Sequence, residues 1–156
     1  MSAALQTPEL PVAALWRRLA AMLYDSLLVL AIWIIVAFVV LSAFGINEAS
    51  TIDGNVVVLA PLYKNTLFAA MLISSYLFFG WFWTHSGQTL GMQAWRIKVQ
   101  NSDGTAISWM QTLQRYTSAP FSLLALGLGY LCMLTDPQKR TLPDRFSKSI
   151  VVKVEL

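Results

Sequence analysis

Charge is scarce in this chain of 156 residues. Only 12% of it is Asp, Glu, Lys or Arg, about half the share of an average soluble protein, while 56% is apolar and the mean hydropathy is +0.58. So few charges cannot cover the surface of a small globule, which excludes an ordinary soluble domain and makes the bilayer the expected solvent. Cysteine and histidine are nearly absent. A single Cys132 excludes an intrachain disulfide framework, and with a single His85 there is no Cys/His set at zinc-ligand spacing, so no metal or other cofactor is expected. A lone histidine without a Ser, Cys or carboxylate constellation makes no nucleophile site, and the chain is not expected to be an enzyme. Lys and Arg total 11 against 8 acidic residues, a net charge of +3, too thin for a nucleic-acid partner.

What the chain does have is two long apolar runs. From Leu19 to Phe44 the only interruptions are Asp25, Ser26 and Ser42. As a helix this run is about 39 Å long, exceeds the roughly 30 Å hydrocarbon core and must tilt. It is also far longer than the apolar stretch of a cleaved secretory signal. The second span, Leu67 to Trp83, holds only Ser74, Ser75 and Tyr76 as polar interruptions and ends in Trp81 and Trp83, which suit the headgroup region. Residues 1–15 read as a flexible N-terminal segment. Between the spans, residues 45–66 form an external loop in which Asp53-Gly54-Asn55 precedes Val56-Val57-Val58, a hairpin or a plain loop.

Beyond the second span the pattern changes. Residues 84–106 form a strand and turn region, where Trp95-Arg96-Ile97-Lys98-Val99 alternates as a half-buried strand does and Asn101 to Gly104 makes a turn. Ile107, Met110, Leu113 and Tyr116 recur at helical spacing beside Gln111, Gln114 and Arg115, the pattern of an interfacial amphipathic helix. Pro120 breaks it, and Phe121 to Leu134 then reaches only about 21 Å as a helix.

Charge placement chooses between topologies. A single crossing by residues 107–134 would divide Lys and Arg almost evenly between the two sides, whereas a return to the same side leaves Lys64 alone outside. The tail, residues 135–156, is basic and ends in a strand-like Ser149 to Val154, the evident partner for the Trp95 to Val99 strand. The expected fold is therefore an all-α membrane protein with two transmembrane helices, a re-entrant or third transmembrane helical region and a small cytoplasmic β-element. The re-entrant form bends at Ser118-Ala119-Pro120 and packs on other protein. The alternative is one continuous helix from about Gln114 to Leu134, with the tail outside.

Few polar groups are available to carry function. Asp25 lies two helical turns, about 10.5 Å, below Arg18, at a depth where an ionisable group costs on the order of 2.5 to 3.5 kcal/mol and finds a partner. Arg18, Arg115, Ser74, Ser75 and a tail residue are the candidates for that partner. Asp25 then either binds a proton or cation, or is an internal clasp that orients helices. Asp136 and Asp144 suit helix capping or pairing with nearby Lys and Arg. His85 fits an interfacial position, and Gly87 to Gly91 has a helix-dimer spacing outside any apolar span.

Arg18 to Asp25 opening the first span, Gly87-Gln88-Thr89-Leu90-Gly91, Arg96 to Val99 with its Asp103-Gly104 turn, Arg115-Tyr116, Asp136-Pro137 and Asp144-Arg145 with Ile150-Val151-Val152 follow in order. Together they resemble the RDD family of integral membrane proteins over about Trp16 to Val154. Arg18 matches the family arginine, Asp25 the first aspartate and Asp144 the second, with Asp136 its rival. Pro143 before Asp144, and Phe146-Ser147-Lys148-Ser149 after it, depart from the family's usual residues. The resemblance implies a multi-pass inner-membrane protein, N- and C-termini cytoplasmic, involved in transport by exchange of monovalent cations for protons. Two spans and a half-inserted hairpin enclose no pathway alone, so transport requires a homo-oligomer, most simply a two-fold dimer. The alternative is a non-transporting adaptor whose cytoplasmic face docks a partner protein or anionic lipid.

Overall fold

The structure, a computed structural model, describes residues 10–44, 50–53, 56–124 and 127–154. It is mostly helical and divides into two compact units, residues 26–78 and residues 1–25 with 79–156. Two helices are long and apolar enough to cross a membrane, α1 (Leu15–Phe44) and α2 (Pro61–His85). At 30 and 25 residues they measure about 45 and 37 Å. Both exceed the apolar runs that announce them. Pro61 starts α2 where a missing N–H costs nothing, and the Ala60 carbonyl accepts from Lys64 N at 3.0 Å.

Within residues 26–78, helices α1 and α2 are joined by a hairpin of β1 (Ser50–Asp53) and β2 (Val56–Leu59), paired antiparallel from Ser50 with Leu59 to Asp53 with Val56. The Gly54-Asn55 part of the expected turn lies outside the described residues. The outer surfaces are apolar, with Ile34, Phe38, Phe68 and Ile73 exposed. Inside, Trp33 Nε1 donates to Ser75 Oγ (2.7 Å), and Ser75 in turn donates to the Met71 carbonyl (2.7 Å). The hydroxyl therefore serves a half-buried indole and not Asp25.

In the other unit, α3 (Leu90–Ala94) turns into β3 (Ile97–Asn101). Then follow α4 (Trp109–Leu124), α5 (Leu128–Thr135), α6 (Leu142–Phe146) and β4 (Ser149–Lys153). Strands β3 and β4 pair antiparallel, Ile97 opposite Lys153 through Asn101 opposite Ser149, the pairing expected between strand and tail. The strand begins two residues later than the alternation suggests, because Trp95 and Arg96 form the turn out of α3 and Arg96 adopts φ 54°. Both sheet edges are covered. Ala13 N donates to Val151 O and Lys153 N to Pro11 O on one side, and Val99 N donates to Gly87 O on the other, which removes the sticky edges of a two-stranded sheet. Ile97, Val99 and Val151 from its inner face join Ala13, Ala21, Met92 and Ile107 in the core.

Region 107–134 departs from both expected forms. The helix does not end at Ser118-Ala119-Pro120; α4 runs through Pro120 to Leu124. Ser118 and Ser122 hydroxyls bond carbonyls of the preceding turn, the way helices accommodate a proline inside apolar surroundings. Nor is there one continuous helix, because Gly127 at φ 76° opens a separate α5. A Cβ at Gly129 would stand 2.5 Å from the Ser122 side chain, so glycine is what lets α5 fold back against α4. The polarity of α4 is inverted relative to a soluble helix. Thr112, Arg115, Ser118 and Ser122 are buried, while Met110, Phe121 and Leu124 are 64%, 69% and 79% exposed.

Candidate functional site

Arg18, Arg115 and Asp144 come together at the junction of α1, α4 and α6. The α6 N-terminus presents Asp144, whose Oδ2 accepts the Thr141 backbone N–H at 3.0 Å, as an acidic residue in a first turn does. Arg18 Nη1 donates to the same oxygen at 2.5 Å, and Arg115 Nη1 to Oδ1 at 2.6 Å. Asp144 is fully buried, and the two arginines are nearly so. Both guanidinium groups are extended into further bonds. Arg18 Nε reaches the Ala13 carbonyl (3.1 Å) and Nη2 the Val151 carbonyl (3.2 Å), and Arg115 Nη1 also reaches Ser149 Oγ (2.5 Å). One side chain of α1 thus ties the N-terminal segment, α6 and β4 to the start of the first span. The Arg115 guanidinium lies 5.2 Å from the Trp83 ring centroid, a cation–π geometry.

Burial alone would raise the Asp144 pKa, but Arg115, Arg18 and the Thr141 N–H outweigh it and hold the carboxyl below its ordinary range. Asp136 is a looser case. Its carboxylate accepts from the Arg140 backbone N–H (2.8 Å) and from Arg145 Nη2 (2.7 Å), and the Arg140 N–H leads the effects that lower its pKa. Arg145 is exposed. Arg18 therefore pairs with Asp144, and Asp136 holds the turn before α6.

Asp25 is joined to none of the partners expected from sequence. Its Oδ2 accepts from the Thr89 hydroxyl at 2.5 Å and its Oδ1 from the Gly91 backbone N–H at 2.9 Å. Thr89 is the N-cap of α3 and accepts the Met92 N–H at 3.2 Å, so its own proton is free to point at Asp25. The carboxylate sits on a helix N-terminus, where N–H groups need an acceptor and negative charge is favoured. Glycine at 91 is required by the approach of α1. A Cβ there would press into the Ala21 carbonyl and stand 2.8 Å from Asp25 Oδ1. Gly87, at φ 73°, likewise admits the Val99 carbonyl, so this glycine pair serves close backbone contacts within the chain. His85 stacks on Trp81 at 3.9 Å with Nδ1 3.0 Å from the Trp81 carbonyl.

Sequence reasoning placed Arg18, Arg115 and Asp144 among the candidates and missed Thr89, Gly91, Thr141 and Ser149. Thr89 had a readable signal, a threonine just ahead of a short helical run. Ser149 had none, since its role depends on where β4 lies.

Apolar side chains facing out, ion pairs and hydroxyls facing in, and two helices of spanning length are together the build of an integral membrane protein. The chain belongs to the RDD family, whose profile matches residues 12–148. No curated protein and no solved structure matches it.

Proposed function

We propose that the chain is a multi-pass inner-membrane protein with both ends in the cytosol, and that it works as a membrane adaptor docking a partner protein or anionic lipid through its basic face. The observation that carries this reading is the saturation of the buried acids. Both oxygens of Asp25 and both of Asp144 accept hydrogen bonds from the protein's own donors, the bonding of a clasp. By contrast, Arg96, Lys139, Arg145 and Lys148 are exposed, and cations at a membrane surface attract anionic partners. The topology is supported by the pairing of β3 with β4, which holds the tail beside the end of the second span, and by the sequence count, in which Lys64 is the one Lys or Arg between the two spans.

Neutralising Arg145, Lys148 and Lys153 to Gln should strip the bound protein or anionic lipid from the chain isolated in native nanodiscs. Asp25→Asn should leave both that binding and vesicle proton gradients unchanged. A cation-driven collapse of the pH gradient that Asp25→Asn abolishes would overturn the adaptor in favour of exchange.

Exchange keeps one specific support. Among the described residues, Asp25 accepts only neutral donors and no Lys or Arg pairs with it, so a titratable acid in a spanning helix stands without a counter-cation. On that reading the chain works as a homo-oligomer, and monovalent cations and protons compete at Asp25.

A further inference from the structure

Trp16 and Arg17 at the start of α1, Trp95 and Arg96 at the turn out of α3, and Lys153 at the end of β4 line a groove of about 520 Å³. We infer that this groove holds the phosphate of an anionic phospholipid headgroup, an inference that rests on the membrane-adaptor reading and gives it a lipid site. Arg17 and Arg96 give the groove its positive charge, and among the described lining residues none is acidic, which suits an anion. The Arg17 guanidinium is already fixed in place. It lies 4.7 Å from the Trp16 ring centroid and donates Nη1 to the Trp95 carbonyl at 3.1 Å, which limits the ordering a ligand would require. A planar guanidinium offers parallel N–H groups suited to phosphate oxygens.

The level of the groove selects a lipid over a soluble anion. Trp95 meets Trp16 edge-on at 5.4 Å and Tyr24 at 6.1 Å, a cluster of the amphipathic rings that collect at headgroup depth. Leu19 and Leu23, one and two turns further along α1, are 46% and 64% exposed. An acyl chain leaving the groove along α1 therefore finds apolar surface at once. The volume lies within the range of small-molecule sites and suits a phosphoglycerol headgroup.

The test uses the full chain purified in detergent and titrated with phosphatidylglycerol or phosphatidylcholine, with bound lipid counted by native mass spectrometry. Wild type should retain phosphatidylglycerol in preference. Each cation is worth about fivefold in binding near a membrane surface, so Arg17→Gln and Arg96→Gln combined should lower that preference on the order of 25-fold. Arg96→Gly removes the guanidinium while relaxing the left-handed backbone at that position, so its loss of lipid cannot be ascribed to strain. Lys64→Gln is the control, because Lys64 is exposed, does not line the groove and is not part of the basic face; it should bind as wild type does. Equal losses in groove and control variants, or no loss in either, would overturn the inference. Displacement of the lipid by equimolar inorganic phosphate would also overturn it, in favour of a free-anion site. Any of these leaves the adaptor reading to be judged on partner retention, while cation-coupled proton flux would refute that reading with the lipid result intact.

Discussion

Two of the carboxylates buried among the described residues, Asp144 and Asp25, are stabilised by opposite means. Asp144 is held between two guanidinium groups at 2.5 and 2.6 Å; Asp25 is held by a hydroxyl and a backbone N–H at the start of a five-residue helix. The first arrangement concentrates full charges and joins five parts of the chain, the N-terminal segment, α1, α4, α6 and β4. The second uses dipoles and joins two, α1 and α3. A charge network fails when any member is removed, since the remaining ions stay buried without partners. A dipolar cap loses only the bonds themselves. Removing Asp144 and removing Asp25 should therefore differ in size.

The largest effect is expected at the charged corner. Asp144→Asn should destabilise the protein by about 3 to 5 kcal/mol, because Arg18 and Arg115 are left unpaired; the check is thermal unfolding in detergent. Combining Asp144→Leu with Arg18→Met and Arg115→Met should recover most of the loss. Protonation probes the same corner. The folded pKa of Asp144 lies below the ordinary carboxyl value, so its stabilisation is fully present above about pH 4 to 5, the unfolded range. It is lost as pH falls through the lower folded value. A melting temperature that is flat from neutrality to about pH 5 and falls below about pH 4 is expected, with a smaller fall in the Leu/Met/Met variant, which keeps Asp136.

At the dipolar corner, Gly91→Ala forces a methyl against the Ala21 carbonyl and should cost about 1 to 3 kcal/mol, more than Asp25→Asn. That substitution keeps an acceptor for Gly91 N–H and should cost about 1 kcal/mol; chemical denaturation of the two variants side by side ranks them. If Asp25→Asn were the more damaging, the dipolar description would be wrong. The smallest effect is expected at the rim, where Arg145→Gln removes an exposed partner of Asp136 and should change stability by less than about 1 kcal/mol.

The same contrast explains what could be read from the sequence. The two long helices and the β3 to β4 pairing follow from apolar runs and alternation, which are local patterns. Arg18 and Asp144 were recognisable as special because charges are rare in such a chain, yet their pairing across 126 positions is tertiary and carried no local signature. The search for a charged partner to Asp25 missed a neutral one, because a helix N-terminus made of backbone N–H groups is invisible in composition. Pro120 misled for a related reason. Proline ends helices in water, but apolar surroundings with serine hydroxyls at 118 and 122 keep α4 running. Ser108 and Gln111, which cap each other's backbone N–H at 3.3 and 2.9 Å, form a capping box legible in the sequence and overlooked there.

A double-mutant cycle between Arg18→Met and Asp144→Leu, read by unfolding in detergent, addresses the clasp most directly. Coupling of about 2 to 3 kcal/mol is expected if the first span is fastened to the tail through this pair. Additive single effects, with coupling within about 0.3 kcal/mol of zero, would contradict it.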